Sequence, residues 1–297
     1  METPVVAASP RAYNTQMPAK TRTARSASVA LPSGRLVHLR LWPGHGTPIV
    51  VLHGLLDSSD GWTDVCRDVP NPCVAVDLPG FGRSDLPARP RVSAYAEDVA
   101  YALELLGVRR FVLLGHSFGG AVATAVAELL PARVAELVLL APAGFGRNRL
   151  AEAVVLPGVR GVVERLLPRT RRHRAAVAAA YTLTHANMDA VDAAMMEAVT
   201  RTVGRLSNRG FHRRRVAYRG PVTVVWGSRD RVVPASHLGG VTTAFPHVRP
   251  LIWDGMGHHP QRERRPELLS LVCRSCQDGA TVTRPAPLRV APSAVTA

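Results

Sequence analysis

A serine between two glycines stands where an apolar run gives way to a helical pattern. The run FVLL precedes Gly115-His116-Ser117-Phe118-Gly119, and AVATAVAELL follows it. A G-x-S-x-G pattern in this setting predicts a sharp strand-to-helix turn that exposes the serine hydroxyl. The free N–H groups at the start of the helix favour developing negative charge at the same place. Ser117 is therefore a candidate nucleophile, which would need a base to take its proton.

The surrounding elements alternate in a way that would position such a serine. RLVHLRLW, PIVVLHG and PCVAVDLPG are short β-rich runs closed by Gly or Pro, and residues 95–107 and 119–131 have helical spacing. Continuously apolar strands are typical of a parallel sheet buried on both faces. The alternation stops near residue 144 and resumes at the strand 221–226, and a last helix is predicted over 264–277. The sequence thus predicts an α/β sheet with one insertion.

Composition suggests where the folded core begins and ends. The first 27 residues mix Pro, Ser, Thr and Arg without the apolar stretch of a secretory signal, and they predict a disordered leader. Residues 279–297 are similar and predict a disordered tail. The core is expected in two parts, 28–143 and 220–278. Between them, apolar stripes at helical spacing predict a helical cap over 144–219.

Charge and cysteine content bound the function classes. The formal net charge is +15, almost all the basic residues are arginine, and no nucleic-acid motif accompanies them. This balance would attract anionic substrates or acidic protein partners at low salt. The four cysteines and the missing export signal favour free thiols in the cytoplasm, and we read the Cys273-Arg-Ser-Cys276 spacing as helix packing. No apolar run is long enough for a membrane span.

Over roughly residues 28–278, the motifs and their order resemble the α/β-hydrolase family. The resemblance implies an α/β-hydrolase fold, with a mostly parallel eight-stranded sheet flanked by helices and an inserted helical cap. It implies no cofactor and no metal. In the family, the serine is followed along the chain by an acid and then a histidine. Asp230 in VVWGSRDRVVP and His258 in WDGMGHHPQRERRPE occupy the corresponding loops. The neighbouring His259 is the alternative base, but the G-x-G-H pattern selects His258.

The resemblance also assigns the groups around this triad. The backbone N–H of Phe118 and that of Leu55, in the turn after His53, are expected to form the oxyanion hole. His53, His116 and Trp62 are expected to hold loops and core. The loop DLPGFGRSD, from Asp77 to Asp85, matches a family turn that shapes the site without taking part in catalysis.

Three functions remain open at this point. The first is a serine hydrolase that cleaves an ester-type bond of a small, largely apolar molecule through Ser117, His258 and Asp230. The second uses the same triad for a biosynthetic step, namely acyl release, elimination or cyclisation on an anionic or carrier-bound substrate, with an acidic carrier protein as partner. The third is a binding scaffold without catalysis. A serine at position 117, in the turn between strand and helix, argues against the dehalogenases and epoxide hydrolases that resemble this family, because they use an aspartate at that position.

Overall fold

Eight strands form one sheet in the structure, a computed structural model that describes residues 22–87, 90–147, 211 and 214–278. The strands are β1 (Arg25–Ala30), β2 (Leu36–Trp42), β3 (Ile49–Leu52), β4 (Cys73–Val76), β5 (Phe111–His116), β6 (Val134–Leu140), β7 (Val222–Gly227) and β8 (Arg249–Trp253). Their order is β1-β2-β4-β3-β5-β6-β7-β8. β2 pairs antiparallel with β1 and β4, and the other neighbours pair parallel. The predicted α/β-hydrolase fold with its mostly parallel eight-stranded sheet is confirmed.

Helices connect the strands and cover both faces of the sheet. Within the described residues they are α1 (Thr63–Asp68), α2 (Val92–Leu105), α3 (Phe118–Leu129), α4 (Leu238–Ala244), α5 (Pro260–Glu263) and α6 (Arg265–Asp278), with 3₁₀ turns at Ser59–Trp62 and Ala235–His237. α2 was expected over 95–107 and lies slightly earlier. Its chain leaves the helix at Gly107, whose φ of 65° is easily adopted by glycine. None of these helices is long and apolar enough to cross a membrane.

Alternate residues of each central strand belong to two different cores. In β3, Val50 and Leu52 pack with buried residues of α2 and α3 on one face. Ile49 and Val51 pack with α1 and α6 on the other. Because successive side chains of a strand point to opposite faces, a strand buried on both sides reads as one continuous apolar run. Cys276 is buried in the second core, in agreement with the packing role expected of it.

The first strand begins before the boundary predicted at residue 27. β1 starts at Arg25 and pairs with β2 along its whole length. Before it, Arg22 is 5% exposed and donates from Nη2 to the backbone oxygen of Asn71 at 2.7 Å. The sequence RSASVA did not predict this strand, because its two buried residues, Ala27 and Val29, give only a short and weak alternation of apolar and polar side chains. Residues 1–21 and 279–297 lie outside the described residues.

The cap predicted over 144–219 lies mostly outside the described residues, which include only 144–147, 211 and 214–219 of it. The described parts at its two ends meet. The rings of Phe145 and Phe211 are stacked with centroids 5.4 Å apart, and Phe145 also contacts Phe245 at 6.0 Å. The chain therefore leaves the core and returns to it at neighbouring points, as an insertion requires.

Candidate active site

Ser117 lies in a strained turn between β5 and α3. Its φ of 52° and ψ of −117° are unusual for a residue with a side chain. Its N–H donates to the carbonyl of Leu140, and its carbonyl accepts from the N–H groups of Gly120 and Ala143, each at 2.9 Å. These three bonds maintain a conformation that costs energy, which is typical of a residue placed for function. Ser117 Oγ makes no hydrogen bond to another described residue.

The two glycines of the motif are required by close approach of the backbone. A Cβ on Gly115 would lie 2.6 Å from the carbonyl oxygen of Gly119, and one on Gly119 would lie 2.2 Å from that of Leu52. Both distances are far below van der Waals contact. The first turn of α3 therefore packs directly on β5 and on the end of β3. Any larger residue at these positions would displace the serine.

His258 and Asp230 come together from the ends of neighbouring strands. Asp230 follows β7 and His258 follows β8, and His258 Nδ1 lies 2.7 Å from Asp230 Oδ2. The other carboxylate oxygen accepts the N–H groups of Val232 and Val233 at 2.8 and 2.9 Å, which fixes its orientation. The ion pair is buried, with side-chain exposures of 5% for His258 and 0% for Asp230. The acid thus lies against His258, the histidine selected from the motif, rather than His259.

His116 connects the turn of Ser117 to the loop of His258. Its Nε2 lies 2.8 Å from the carbonyl oxygen of His258, and because a carbonyl can only accept, this nitrogen carries the proton. Burial, followed by the neighbouring charge of His258, holds the pKa of His116 well below its usual range. The two rings have centroids 4.9 Å apart. Among the described residues no hydrogen bond joins Ser117 Oγ directly to His258.

The two expected oxyanion donors lie beside Ser117. Phe118 directly follows it, and Gly54 precedes Leu55 in a turn so close that a Cβ on Gly54 would lie 3.2 Å from Cβ of Ser117. No hydrogen bond of the described residues uses the N–H of either Leu55 or Phe118. Two free N–H groups beside a serine hydroxyl are what a tetrahedral oxyanion needs, and Ser117 is itself buried, with 8% of its surface exposed.

The residues expected to hold loops and core do so in the structure. His53 Nε2 accepts the N–H of Leu78 at 2.9 Å, and His53 Nδ1 donates to the carbonyl of Gly54 at 2.7 Å. Trp62 is fully buried in the core under α1. His53 therefore joins the Leu55 turn to the loop after β4, which keeps the turn in place.

The sequence of this chain matches a known protein family. A family model described as the alpha/beta hydrolase fold matches residues 47–264, which is more than half of the chain. The chain belongs to the α/β-hydrolase family. The matched segment contains the serine, the acid and the histidine of the site. It ends within the first residues after α5, and so it spans the core on both sides of the predicted cap.

Three proteins illustrate the similarity. The chain is 29% identical over 227 residues to the dihydrolipoyllysine-residue acetyltransferase component of the acetoin cleaving system of Pseudomonas putida. The alignment covers 73% of this chain but only 60% of that relative. Among solved structures, the esterase RhEst1 of Rhodococcus is 27% identical with a TM-score of 0.63, covering 86% of this α/β hydrolase and 98% of RhEst1. Est816, an N-acyl homoserine lactone degrading enzyme, is 25% identical with a TM-score of 0.65, covering 82% and 98%.

Glu263, which the sequence analysis did not single out, lies next to the loop of His258 in this α/β hydrolase. The Glu263 carboxylate accepts the N–H of Gly257 at 2.6 Å and the N–H of His259 at 2.9 Å. A signal for it was present, because Pro260 begins α5 and an acidic residue in the first turn commonly bonds back to the N-cap. Only the structure shows that the two bonds of Glu263 hold the residues on either side of His258.

A buried carboxylate organises the loop after β4 on the same side of the hydrolase core. Asp77 is 1% exposed and accepts from Ser59 N at 2.6 Å, from Arg83 N at 2.9 Å and from His38 Nδ1 at 2.9 Å. Burial alone would raise the pKa of Asp77, but the hydrogen bond from His38, the electrostatic effect of the nearby His53 ring and the two backbone donors outweigh it. The pKa falls to about 2. The family turn is therefore held by an ionised aspartate.

This carboxylate predicts a specific loss of stability in acid. Its folded-state pKa of about 2 lies below an unfolded value of about 3.9, so its contribution is complete above pH ~4 and lost as the pH falls towards 2. The difference corresponds to about 3 kcal/mol in the free energy of unfolding. Asp77→Asn is expected to lose a comparable amount at neutral pH, because one amide oxygen cannot serve three donors.

Urea unfolding of the wild type and Asp77→Asn between pH 7 and pH 3 measures this contribution. The difference between the two proteins should shrink as the pH falls below 4. Asp64→Asn, an exposed α1 residue that pairs with Arg67 and Arg265 on the surface, is the matched control and should change stability little. A gap between wild type and Asp77→Asn that stays constant with pH would contradict the assignment.

Proposed function

We propose that this chain is a serine hydrolase that cleaves an ester-type bond in a small, largely apolar substrate. The observation that carries the proposal is the buried Asp230 to His258 hydrogen bond, with the main chain of His258 tied to the residue next to Ser117. An acid that fixes one imidazole nitrogen leaves the other to act as a base. Ser117, His258 and Asp230 are assigned as nucleophile, base and orienting acid.

The proposed reaction has two steps, acylation of Ser117 and hydrolysis of the acyl-enzyme. His258 Nε2 takes the proton of Ser117 Oγ while Oγ attacks the carbonyl carbon, and the N–H groups of Leu55 and Phe118 stabilise the oxyanion. The carbon–oxygen bond to the alcohol then breaks, and His258 gives the alcohol its proton. Water attacks the resulting acyl-enzyme with His258 as base, which releases the carboxylic acid and restores Ser117. Asp230 stabilises the imidazolium in both halves.

The missing direct bond between Ser117 and His258 is compatible with this assignment. Catalytic hydrogen bonds are often long in ligand-free enzymes and tighten when substrate binds. Similarity to the esterase RhEst1 and to Est816 supports an ester or a lactone as the bond that is cleaved. A lipophilic substrate is expected from the apolar stripes of the sequence predicted to form the cap.

A second candidate function is a biosynthetic acyl transfer or release on an anionic or carrier-bound substrate. Arg229 and Arg231 favour it, because they flank Asp230, are exposed and make no ion pair with another described residue. Exposed cations at a site raise the association rate of anionic partners, and salt screens this effect. On such substrates, kcat/KM should fall steeply with added salt, whereas turnover of neutral esters should not.

Hydrolysis of p-nitrophenyl esters from acetate to decanoate, at two salt concentrations, tests the proposal. Turnover with one preferred chain length is expected, and the optimum measures the acyl pocket. Labelling by a fluorophosphonate, which reacts only with an activated serine, is the second readout. Labelling without turnover of any ester would move the assignment to the biosynthetic function. A folded protein that neither labels nor turns over would identify a binding scaffold and overturn the proposal.

A further inference from the structure

We propose that Glu263 and His116 are positioning residues that together hold the main chain of His258, and so set the direction of its imidazole. The inference rests on the proposed function, in which His258 is the base. Glu263 comes from α5 and His116 from β5. Together they bind one backbone group on each of three successive residues: the N–H of Gly257, the carbonyl of His258 and the N–H of His259.

Glu263 holds the backbone N–H groups of the two residues on either side of His258. One carboxylate oxygen accepts the N–H of Gly257 at 2.6 Å, and the other accepts the N–H of His259 at 2.9 Å. Hydrogen bonds from a backbone N–H to an ionised carboxylate are among the stronger ones in proteins. A neutral amide has only one oxygen and would leave one of the two N–H groups facing an NH₂ group.

His116 holds the carbonyl of His258, which belongs to the same peptide group as the N–H of His259. Its Nε2–H donates to the carbonyl of His258 at 2.8 Å. His116 is buried, with 1% of its surface exposed. The low pKa of His116 keeps the ring neutral, so Nε2 donates while Nδ1 carries no proton. Because His116 precedes Ser117, this bond sets the distance between the backbone of the base and that of the nucleophile.

The effect on chemistry follows from the geometry of the triad. The imidazole must keep its 2.7 Å bond to Asp230 and at the same time face Ser117 Oγ. A displacement of about 1 Å in such an arrangement can lower the rate by roughly 100-fold. Among the described residues, Asp230 is the only hydrogen-bond partner of the His258 side chain, and the rings of His116 and His259 pack against it with centroids 4.9 and 5.1 Å away. The bonds to the backbone of this stretch therefore limit how far the imidazole can move.

Glu263→Gln is the first test, because Glu263 is exposed and the substitution keeps its size. We expect kcat for the preferred ester to fall about tenfold, with KM changed by less than about twofold. Glu97→Gln makes the same chemical change on the exposed face of α2, where Glu97 bonds to no other described residue, and should match the wild type. A kcat for Glu263→Gln within twofold of the wild type would overturn the proposal.

A count of active sites separates positioning from simple loss of structure. A misdirected His258 lowers the rate of each active site, whereas loss of structure lowers only the number of sites. Titration of reactive Ser117 with a fluorophosphonate counts the folded active sites. A lower kcat explained wholly by fewer sites would assign Glu263 to stability alone and contradict the proposal.

Two variants test His116 in the same way. His116→Gln can place an N–H near the position of Nε2, whereas His116→Phe keeps a ring without a donor. We expect the glutamine variant to retain much more of kcat than the phenylalanine variant, at equal numbers of reactive sites. Equal activity of the two would contradict a role for the bond to the His258 carbonyl. If neither folds, the Glu263→Gln result decides alone.

A readout without turnover distinguishes this proposal from the proposed function. In ¹H–¹⁵N spectra of the wild type, the proton between His258 Nδ1 and Asp230 should appear at low field. In Glu263→Gln it should broaden or move upfield, and in Glu97→Gln it should not. An unchanged proton would overturn the positioning role even in an active enzyme. A wild type that never labels at Ser117 would overturn the proposed function and leave this spectroscopic test standing.

Discussion

Ser117→Ala is expected to abolish ester hydrolysis, with kcat lower by roughly 10⁴- to 10⁶-fold than in the wild type. In the proposed mechanism the hydroxyl oxygen forms the acyl-enzyme, and no other described serine stands in a strained turn beside two free N–H groups. Activity is measured on the preferred p-nitrophenyl ester, and labelling by a fluorophosphonate should disappear with it. Ser93→Ala, on the exposed surface of α2, is the control and should keep both.

The protein should remain folded in this variant. Alanine replaces a residue that already has a side chain at a φ of 52°, and the bonds that hold the turn use only the backbone of residue 117. The midpoint of thermal unfolding should therefore stay close to that of the wild type. Retained turnover in Ser117→Ala at the wild-type rate would show that the nucleophile lies elsewhere.

Asp230→Asn is expected to lower kcat by about 10⁴-fold through the tautomer of His258. The amide oxygen can keep the bonds from Val232 and Val233, and the NH₂ group then faces His258 Nδ1. Nδ1 must accept from that group, so the proton of a neutral His258 moves to Nε2. An Nε2 that carries a proton cannot take one from Ser117.

Two measurements check this prediction. Steady-state kinetics should show the loss in kcat, and the ¹⁵N shifts of His258 should show the exchange of roles between its nitrogens. Asp254→Asn is the control, because Asp254 is exposed on the neighbouring loop and its carboxylate bonds to the Ser228 hydroxyl. Activity of Asp230→Asn close to that of Asp254→Asn would remove Asp230 from the catalytic set.

Much of the core could be predicted because its signals are local. The turn at Ser117 requires glycines at 115 and 119, and both positions show backbone approaches that leave no room for a Cβ. The continuous apolar runs predicted a sheet buried on both faces, which is how the two cores divide the residues of β3. β1 was not predicted from the sequence, because its buried side chains, Ala27 and Val29, are too few and too small to indicate a buried face of a strand.

The contacts that would make the site work were beyond local reasoning. Sequence motifs and a family order selected Asp230 and His258, but their 2.7 Å contact depends on how β7 and β8 pair. The bond from His116 to the His258 carbonyl joins residues 142 positions apart, and nothing in either motif indicates it. Glu263 was visible as an acidic residue in the first turn of a short helix, and its relation to the base was not.

The sequence by itself determined the strand and helix pattern, the strained serine turn and the order of the candidate triad. These depend on steric limits and side-chain periodicity that act over a few residues. Only the tertiary structure decided that Asp230 lies against His258 and that His116 and Glu263 contact the backbone around His258. Such distances result from the packing of the whole sheet, where each strand's position depends on all its neighbours.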